Sequence, residues 1–509
     1  MPAEPSTRAV ASRPLFEVWP ALEERVPWVS LGDFPTRVVP LANAAAAVGR
    51  PGAPFFIKRD DVSSPVYGGN KVRTLEALFG RARAGARRIY STGAFGSNHA
   101  LAAVLHAPRA GLESGVILFP QPRSFSALEN LRVILAQRPR VRALLHWSLL
   151  PFGVGMTQLA ERRDAFVMVP GGATPEGALG YVSAALELAR QVEAGELPAP
   201  HTILVGVGST CTSAGLLVGL HAAARLGLGW REAPRLVSVR VTPWPITSKT
   251  RIVQLAQRTA TLLARLSGDG GVAFTSRQLA SRFEVDGSQL GRGYGHATEA
   301  GTEALRLLRE TEHLELDTTY SAKSMAAALA RLEAGLPGPL VYWATKSTVP
   351  LPEVREEDWR WAPRRMTRWI ERAERRAPAA VMCGVSSSSR RPMSLAARGG
   401  PRGGWTHGRS SRSIGARMAK VELTKHLFTF FPALEERELL VSGETVADVV
   451  RELDAIAPGF AFYVCDERGR LRMHVNVFVD QERITDRQRL SDRVEPQSVV
   501  TIMQALSGG

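Results

Sequence analysis

Cysteine is scarce in this chain of 509 residues. The three cysteines, Cys211, Cys383 and Cys465, are too few and too widely spaced for a disulfide framework or a cysteine-ligated metal cluster. No apolar run is long enough for a transmembrane helix, and the opening MPAEPSTRAVASRPLF lacks the apolar core of a secretory signal. We therefore predict a protein of the reducing cytoplasm, without a metal cofactor and without a membrane partner.

Acidic residues are missing from residues 376–417, although the whole chain carries 64 Lys and Arg against 48 Asp and Glu, a net charge of +16. This segment contributes eight of the sixteen excess charges, all as arginine, and is rich in Ser, Gly and Pro with no hydrophobic period. Such a composition predicts a flexible basic linker. We therefore expect no specific nucleic-acid partner.

Short β-rich runs alternate with longer helical runs upstream of this linker, over residues 1–375. The predicted strands are residues 55–60, 87–93, 115–120, 166–172, 202–208, 235–241 and 339–345. The predicted helices include residues 71–84, 98–110, 176–194, 213–227, 298–310 and 322–334. This alternation predicts an α/β domain with a mostly parallel sheet that helices cover on both faces. Ligands of such folds bind at the carboxyl ends of strands, beside helix N-termini.

Residues 418–509 have a different pattern. They begin with two alternating runs, MAKVELTKHLFTFF and RELLVSG, that favour a β-hairpin. The run TVADVVRELDAI predicts a helix that starts with a capping box between Thr445 and Asp448. Two further strands follow, and the last leads into Ser-Gly-Gly. We predict a small α+β domain in which the sheet packs around a single helix.

The stretch VYGGNKVRTLEALFGRARAG, residues 66–85, places Lys71 directly after a Gly-Gly-Asn turn, at the head of an amphipathic helix. The N-terminus of a helix is already positive, and burial there lowers the pKa of a lysine. A lysine with a lowered pKa is a nucleophile suited to forming a Schiff base with a carbonyl compound. The alternative is a surface lysine that follows a turn.

Two further segments place small polar residues between a strand and a helix. In STGAFGSNHALAAV, Ser97 and Asn98 open the helix and can hold an anion such as a carboxylate, although Ser97 can also be a simple N-cap. In LVGVGSTCTSAGLLVGL, the small residues 208–212 let the backbone close on a phosphate. That loop matches neither a Walker loop nor GxGxxG, so no nucleotide is indicated, and an ordinary βα turn is the alternative.

Two of the seven tyrosines lie in turns that open helices. Tyr294 is part of GRGYGHATEAG, and Tyr320 is part of LDTTYSAKSM. Buried core tyrosines usually belong to periodic apolar runs instead. Tyr294 and Tyr320 are therefore candidate proton donors, or clamps for a ring.

Taken in order, these motifs resemble a known family. KRDD, GGNK, SNH, the Gly/Ser/Thr loop, GYG and Tyr-x-x-Lys-x-Met are similar to the D-cysteine desulfhydrase and 1-aminocyclopropane-1-carboxylate deaminase family of fold-type II pyridoxal-phosphate enzymes. The resemblance covers about residues 15–370. It implies two open twisted sheets, two subdomains within residues 1–375 with the cofactor between them, a small amino-acid substrate and a homodimer.

The resemblance also implies a role for each motif residue. Lys71 would bind pyridoxal 5'-phosphate covalently, Asn98 would bond to its ring hydroxyl, and Ser97 would meet the substrate carboxylate or assist proton transfer. Tyr294 and Tyr320 would line the substrate side. The loop that would bind the phosphate comprises Gly208, Ser209, Thr210, Cys211 and Thr212.

At one aligned position, the residues of this chain favour a reaction that releases a thiol from the substrate. In the deaminases, the residue after the second tyrosine is an acid that faces the pyridine nitrogen; here it is Ser321, and Thr345 would place a hydroxyl there. A hydroxyl leaves this nitrogen largely unprotonated, which makes the cofactor a weaker electron sink. We therefore expect β-elimination from cysteine, giving pyruvate, ammonia and sulfide, rather than cyclopropane opening by an aminocyclopropanecarboxylate deaminase.

Three departures from the family pattern leave the substrate open. Gly96 stands where the family commonly has a glutamine that contacts the substrate carboxylate. Thr210 and Cys211 replace two glycines of the phosphate loop, and ATKST replaces a His-Thr-Gly-Gly region. A catalytically silent relative is therefore an alternative.

The run HVNVFVDQERITDRQRLSDRVEPQSVVTIMQALSGG is similar to MoaD/ThiS sulfur carriers, which have a ubiquitin-like β-grasp fold. The resemblance implies that an E1-like adenylating enzyme activates Gly509, which then becomes a thiocarboxylate. Three arrangements are open: a lyase with an attached carrier, a carrier-dependent cysteine synthase that performs β-replacement, or a carrier joined to a degenerate enzyme fold. The two domains either cooperate or are an incidental fusion.

Overall fold

A computed structural model of the chain describes residues 13–242, 247–291, 296–317, 320–374, 418–423, 427, 431–434, 439–457, 459–465, 469–471, 475–480 and 482–504. The chain divides into two compact units, Met1–Ser387 and Ser388–Gly509. The segment predicted as a linker, residues 376–417, lies outside the described residues.

The first unit is built on two open sheets. Its strands are β1 (Val38–Pro40), β2 (Phe55–Lys58), β3 (Arg88–Ala94), β4 (Glu113–Phe119), β5 (Arg140–Ala143), β6 (Ala165–Met168), β7 (Thr202–Val207), β8 (Arg235–Arg240), β9 (Phe283–Asp286) and β10 (Leu340–Trp343). The larger sheet has the order β1-β2-β10-β7-β8-β9, with β1 antiparallel to β2 and the other neighbours parallel. The smaller sheet has the order β5-β4-β3-β6 and is parallel throughout.

Helices pack on both sheets of the first unit and cover both faces of the larger one. The helices of this unit are α1 (Pro14–Val18), α2 (Ala21–Arg25), α3 (Ala42–Ala47), α4 (Asn70–Arg83), α5 (Asn98–His106), α6 (Phe125–Ala136), α7 (Leu150–Glu161), α8 (Pro175–Glu193), α9 (Cys211–Leu226), α10 (Lys249–Ser267), α11 (Ser276–Ser281), α12 (Glu299–Glu312), α13 (Ser321–Glu333) and α14 (Arg364–Glu374). Successive side chains of β7 point to opposite faces: Ile203 and Val205 belong to the core under α8 and α9, and Leu204 belongs to the core under α13. The predicted α/β fold is confirmed.

Helix α4 packs against both the smaller sheet and helix α8. One face buries Val72, Leu75 and Phe79 in the core of the smaller sheet. Elsewhere α4 packs so closely on α8 that a Cβ at Gly180 would clash with the carbonyl oxygen of Arg73. Because α4 carries Lys71 in its first turn, both contacts help to determine where that side chain lies.

The second unit contains strands β11 (Ala419–Leu423), β12 (Leu439–Val441), β13 (Val475–Val479), β14 (Glu482–Arg483) and β15 (Val499–Gln504), in the order β12-β11-β15-β13-β14. Helix α15 (Val446–Ile456) begins with the predicted capping box between Thr445 and Asp448 and buries Val449 and Leu453 against the sheet. The predicted small α+β domain is confirmed. It also contains a short second helix, α16 (Phe460–Val464), which starts where the Asp454 carboxylate accepts the N–H groups of Gly459 and Ala461.

Among the described residues, no helix is both long and apolar enough to cross a membrane. None of their His, Cys, Asp and Glu side chains form a group of three or more that could hold a metal ion.

Candidate active site

Lys71 is buried at the head of α4, and its side chain points to the loop that follows β7. Its Nζ donates a hydrogen bond to Ser209 Oγ at 3.0 Å, and the residue is only 8% exposed. Burial lowers the pKa of Lys71, with an opposing contribution from Cys211. Because Lys71 is buried, the alternative of a surface lysine is wrong.

Gly69, the residue before α4, sets the direction in which the chain enters the helix. Its φ of +92° with ψ of −179° is a backbone conformation that is essentially restricted to glycine. A Cβ at Gly69 would lie 2.6 Å from the carbonyl oxygen of Thr345, and that same oxygen accepts the N–H of Asn70 at 2.8 Å. The end of β10 therefore fixes the start of α4.

The predicted phosphate loop connects β7 to α9. Thr212 Oγ1 accepts a hydrogen bond from Asn70 Nδ2 at 2.9 Å. A Cβ at Gly208 would lie 2.7 Å from the ring of Tyr320, so a larger residue there would displace that ring. The first N–H groups of α9 have no acceptor within the helix, as at every helix start, and can therefore bind an anion. Sequence reasoning missed the contribution of Asn70, although its place beside Lys71 in GGNK was a usable signal.

Thr210 and Cys211, which replace the usual glycines, are both buried. The Cys211 thiol donates to the carbonyl oxygen of Gly172 at 3.2 Å, and burial raises the pKa of this thiol. The thiol therefore serves to join this loop to the loop after β6, and it remains protonated at neutral pH.

The head of α5 brings the SNH motif to the same region. Ser97 is the N-cap, and its Oγ accepts the N–H of Ala100 at 3.2 Å. Asn98 Oδ1 accepts hydrogen bonds from Asn130 Nδ2 at 2.7 Å and from the Tyr67 hydroxyl at 3.3 Å. The side-chain nitrogen of Asn98 is therefore the group that can act as a donor to a ligand.

His99 was not singled out from the sequence. Its imidazole is buried, and neither ring nitrogen has a hydrogen-bond partner among the described residues. Burial and the charge of Lys71 lower the pKa of His99 to about 3, so the ring is neutral at physiological pH.

The side of the site next to the larger sheet contains Tyr320, Ser321 and Thr345. Tyr320 is the residue before α13, and the carboxylate of Asp317 accepts the N–H groups of Tyr320 and Ser321. Ser321 and Thr345 are both buried, and within the described ranges Ser321 Oγ has no hydrogen-bond partner. Two other predicted site residues, Tyr294 and Gly509, lie outside the described residues.

Loops from both sheets of the first unit line one polar pocket. The smaller sheet contributes the loops after β3 and β4, and the larger sheet contributes the segments before α13 and after β10. The lining residues are Gly96, Asn98, Gln121, Ser124, Ser126, Ala127, Asn130, Asp317, Tyr320 and Lys346. The pocket therefore has donors and acceptors from two directions.

A buried ionic network supports α4 from behind the site. Arg73, two residues after Lys71, contacts Asp60 Oδ1 at 2.8 Å and Glu187 Oε1 at 3.0 Å, and Lys58 Nζ contacts Glu187 Oε1 at 2.5 Å. The positive charges of Arg73 and Lys58 thus balance the negative charges of Asp60 and Glu187. Burial alone would raise the pKa of Glu187, but Arg73 and Lys58 outweigh it and hold that pKa at about 2. Sequence reasoning used KRDD as a motif but did not predict this network.

These residues fit pyridoxal phosphate. Lys71 provides a buried amine with a lowered pKa for the aldehyde. The loop from Gly208 to Thr212, which touches both Lys71 and Asn70, provides hydroxyls and helix N–H groups for the phosphate. Asn98 would hold the ring hydroxyl.

Replacing Gly69 with alanine should raise the dissociation constant of pyridoxal phosphate about tenfold or more. The added Cβ would clash with the carbonyl oxygen of Thr345, and alanine at position 69 would need a backbone conformation that is essentially restricted to glycine. This strain costs about 1–3 kcal/mol and displaces Lys71. Absorbance titration with the cofactor measures this. Gly49→Ala is the matched control, because Gly49 also has a positive φ but has no neighbour within 4 Å of the new Cβ. Equal affinities of the two variants would contradict the assignment.

Comparison with known proteins gives consistent matches for both units. The profile described as "Pyridoxal-phosphate dependent enzyme" matches residues 29–345, and the profile of the ThiS family matches residues 421–509. Nocardicin C-9' epimerase of Nocardia uniformis subsp. tsuyamanensis is 31% identical over 330 residues, which are 64% of this chain and 93% of that protein. D-cysteine desulfhydrase of Salmonella paratyphi C is 31% identical over 314 residues, 60% of this chain and 88% of that protein. The crystal structure of an ACC deaminase homologue is similar with a TM-score of 0.54 and 26% identity, over 66% of this chain and 96% of that one.

Proposed function

Since the chain belongs to the pyridoxal-phosphate dependent enzyme family and carries a ThiS-family domain, we propose that it is a lyase that eliminates the thiol of cysteine to give pyruvate, ammonia and sulfide. The observation that carries this proposal is the buried Lys71, held by Ser209 at 3.0 Å beside a hydroxyl-rich loop. The extensive match to a D-cysteine desulfhydrase supports the choice of substrate.

The chain's own residues provide binding and proton transfer. The bound pyridoxal phosphate supplies the electron sink that draws electrons from the substrate α-carbon. Lys71 Nζ, whose pKa is lowered by burial, takes the proton from that carbon. Ser97 Oγ accepts the N–H of Ala100, which leaves its own proton to donate to the substrate. Tyr320, whose ring covers Gly208, closes the site on the substrate side.

The proposed preference for a thiol leaving group follows from the residues that would face the pyridine nitrogen. Ser321 and Thr345 offer hydroxyls, which leave that nitrogen largely unprotonated. The carboxylate of Asp317 accepts hydrogen bonds from the N–H groups at the start of α13. A weaker electron sink suffices for a good leaving group such as a thiol, whereas opening of a cyclopropane needs more activation.

A product assay on the full chain tests this function. We expect sulfide and pyruvate in equal amounts from one enantiomer of cysteine, and no keto acid from 1-aminocyclopropane-1-carboxylate. Keto acid from the cyclopropane substrate without any reaction of D- or L-cysteine would overturn the proposal.

A second candidate is β-replacement, which is favoured by the ThiS-family domain on the same chain. In this case an E1-like enzyme would activate Gly509, and the resulting thiocarboxylate would deliver sulfide to the same site to form cysteine. Cysteine formation that depends on the thiocarboxylated domain, without sulfide release from free cysteine, would distinguish this reaction from elimination. We also propose a cytoplasmic homodimer for either reaction, which light scattering would test.

A further inference from the structure

The outer surface around helix α7 is apolar and carries no charge. Residues 145–160, LHWSLLPFGVGMTQLA, contain no Asp, Glu, Lys or Arg, although 22% of the whole chain is charged. Among the described residues of the first unit, eleven large apolar side chains are exposed, and six of them lie in this segment with exposed fractions from 37% to 74%. These six, which we call the α7 face, are Leu145, Trp147, Leu149, Phe152, Met156 and Leu159.

The α7 face has the spacing of helices that pair. Leu149, Phe152, Met156 and Leu159 follow one another at intervals of three, four and three residues, which is the spacing of the contact positions in packed helices. A helix that only covers its own sheet has its large apolar residues on the buried side. Of the twelve residues of α7, the buried ones are two small ones, a glycine and a threonine. The large apolar side chains of α7 therefore point away from the core of its own unit.

The α7 face is large enough for a stable interface. At their observed exposures, its six side chains present on the order of 600 Å² of apolar surface. Contiguous apolar patches of this size on soluble proteins mark interaction sites. Burial of one such face on each of two partners would remove about 1,200 Å² from water, which is the lower end of the range for specific interfaces.

The absence of charge favours a second copy of this chain as the occupant. A partner with a charged surface would bury its ions against the α7 face without counter-ions, which is unfavourable. The same face of another copy brings no charge and an apolar stripe of equal length. A twofold axis places one such stripe on the other, so the contact closes after two copies. Gly155 leaves room for the partner, because no described atom lies within 4 Å of the position of its missing Cβ.

We propose that two copies of this chain pack through the α7 face, helix against helix, across a twofold axis. The proposal names the surface by which the copies pair. It goes beyond the proposed function, since it depends neither on the cofactor nor on the reaction.

Light scattering of the full-length holoenzyme measures the mass of the assembly, and one copy has a mass of 55.2 kDa. We expect the wild type to have twice the mass of Phe152→Glu and of Leu159→Glu at the same micromolar concentration. Each variant would bury a carboxylate without a counter-ion in the interface, which should raise the dissociation constant of the pair at least about a hundredfold. Both side chains are largely exposed in a single copy, so the circular dichroism spectrum should not change.

Leu226→Glu is the matched control, because Leu226 is also an exposed leucine of a helix but lies on α9, outside the α7 face. It should keep the wild-type mass. Equal masses of the wild type and Leu159→Glu would overturn the proposal, and so would an equal loss of mass in Leu226→Glu. A wild-type monomer that binds vesicles of phosphatidylcholine and phosphatidylglycerol through α7 would assign this face to a lipid surface instead.

Sulfide release from cysteine, measured on the same samples, separates this proposal from the proposed function. If the wild type and Leu159→Glu have equal masses and both release sulfide, only the pairing through α7 is wrong. If the masses differ as expected but no sulfide is released, the pairing stands and the proposed elimination is wrong.

Discussion

Replacing Lys71 with alanine should abolish covalent attachment of pyridoxal phosphate and lower the rate of sulfide release by more than about a thousandfold. Lys71 Nζ is buried against the proposed phosphate loop, and burial lowers its pKa. The same nitrogen is proposed to bind the cofactor and to move the α-proton, so one substitution removes both roles. Borohydride reduction of the purified holoenzyme, followed by peptide mapping, measures the attachment.

Peptide mapping can assign the labelled lysine clearly, because the chain contains only seven lysines. Lys249→Ala is the matched control, since Lys249 is also at the start of a helix but is exposed. It should keep both the label and the activity. Label on a lysine other than Lys71, or full activity of Lys71→Ala, would show that the assignment of this residue is wrong.

Replacing Glu187 with glutamine should destabilise the first unit by about 3–5 kcal/mol at neutral pH. Glu187 balances Arg73 and Lys58, and these side chains are almost completely buried. The glutamine keeps the shape but leaves one buried positive charge uncompensated. Removal of one partner from a buried ion pair is costly because the desolvated charge that remains has no counter-ion.

Urea unfolding followed by tryptophan fluorescence reports mainly on this unit, because nine of the ten tryptophans belong to it and Trp405 belongs to the second unit. Glu303→Gln is the matched control. Glu303 pairs with Arg306 on the exposed face of α12, where solvent screening leaves a salt bridge with little effect on stability. A cost for Glu187→Gln no larger than that of the control would rule out a stabilising network.

The pH dependence gives an independent check of the Glu187 prediction. The pKa of Glu187 is about 2 in the folded chain and is ordinarily about 4.5, so its ionised form contributes stability above pH 4.5. As the pH falls from about 4.5 to 2, the carboxylate takes up a proton and this contribution is lost. The difference in unfolding free energy between wild type and Glu187→Gln should therefore shrink over that range.

The sequence predicts the central strands and the helices that carry the motifs, because these segments are buried and periodic. The three strands of the first unit that it did not predict, β1, β5 and β9, are edge strands of their sheets. Their side chains are partly exposed, so they do not form continuous apolar runs. Tertiary pairing, rather than local pattern, makes these segments strands.

The sequence predicts those parts of the candidate site whose residues are neighbours in the chain. GGNK, SNH and residues 208–212 each form one local turn, so their chemistry could be read directly. The contacts of Asn70 with Thr345, and of Arg73 with Glu187, join residues 275 and 114 positions apart. A single sequence gives no sign of such pairs, except that Glu187 interrupts the apolar run in the middle of α8.

The contacts of α4 also let the cofactor report on both halves of the first unit. Damage to the smaller sheet would act through Val72, Leu75 and Phe79, and damage around α8 would act through the contact of Arg73 with Gly180. Either change would shift the amine of Lys71 relative to its loop. The absorbance of bound pyridoxal phosphate should therefore respond whichever half of the unit is weakened.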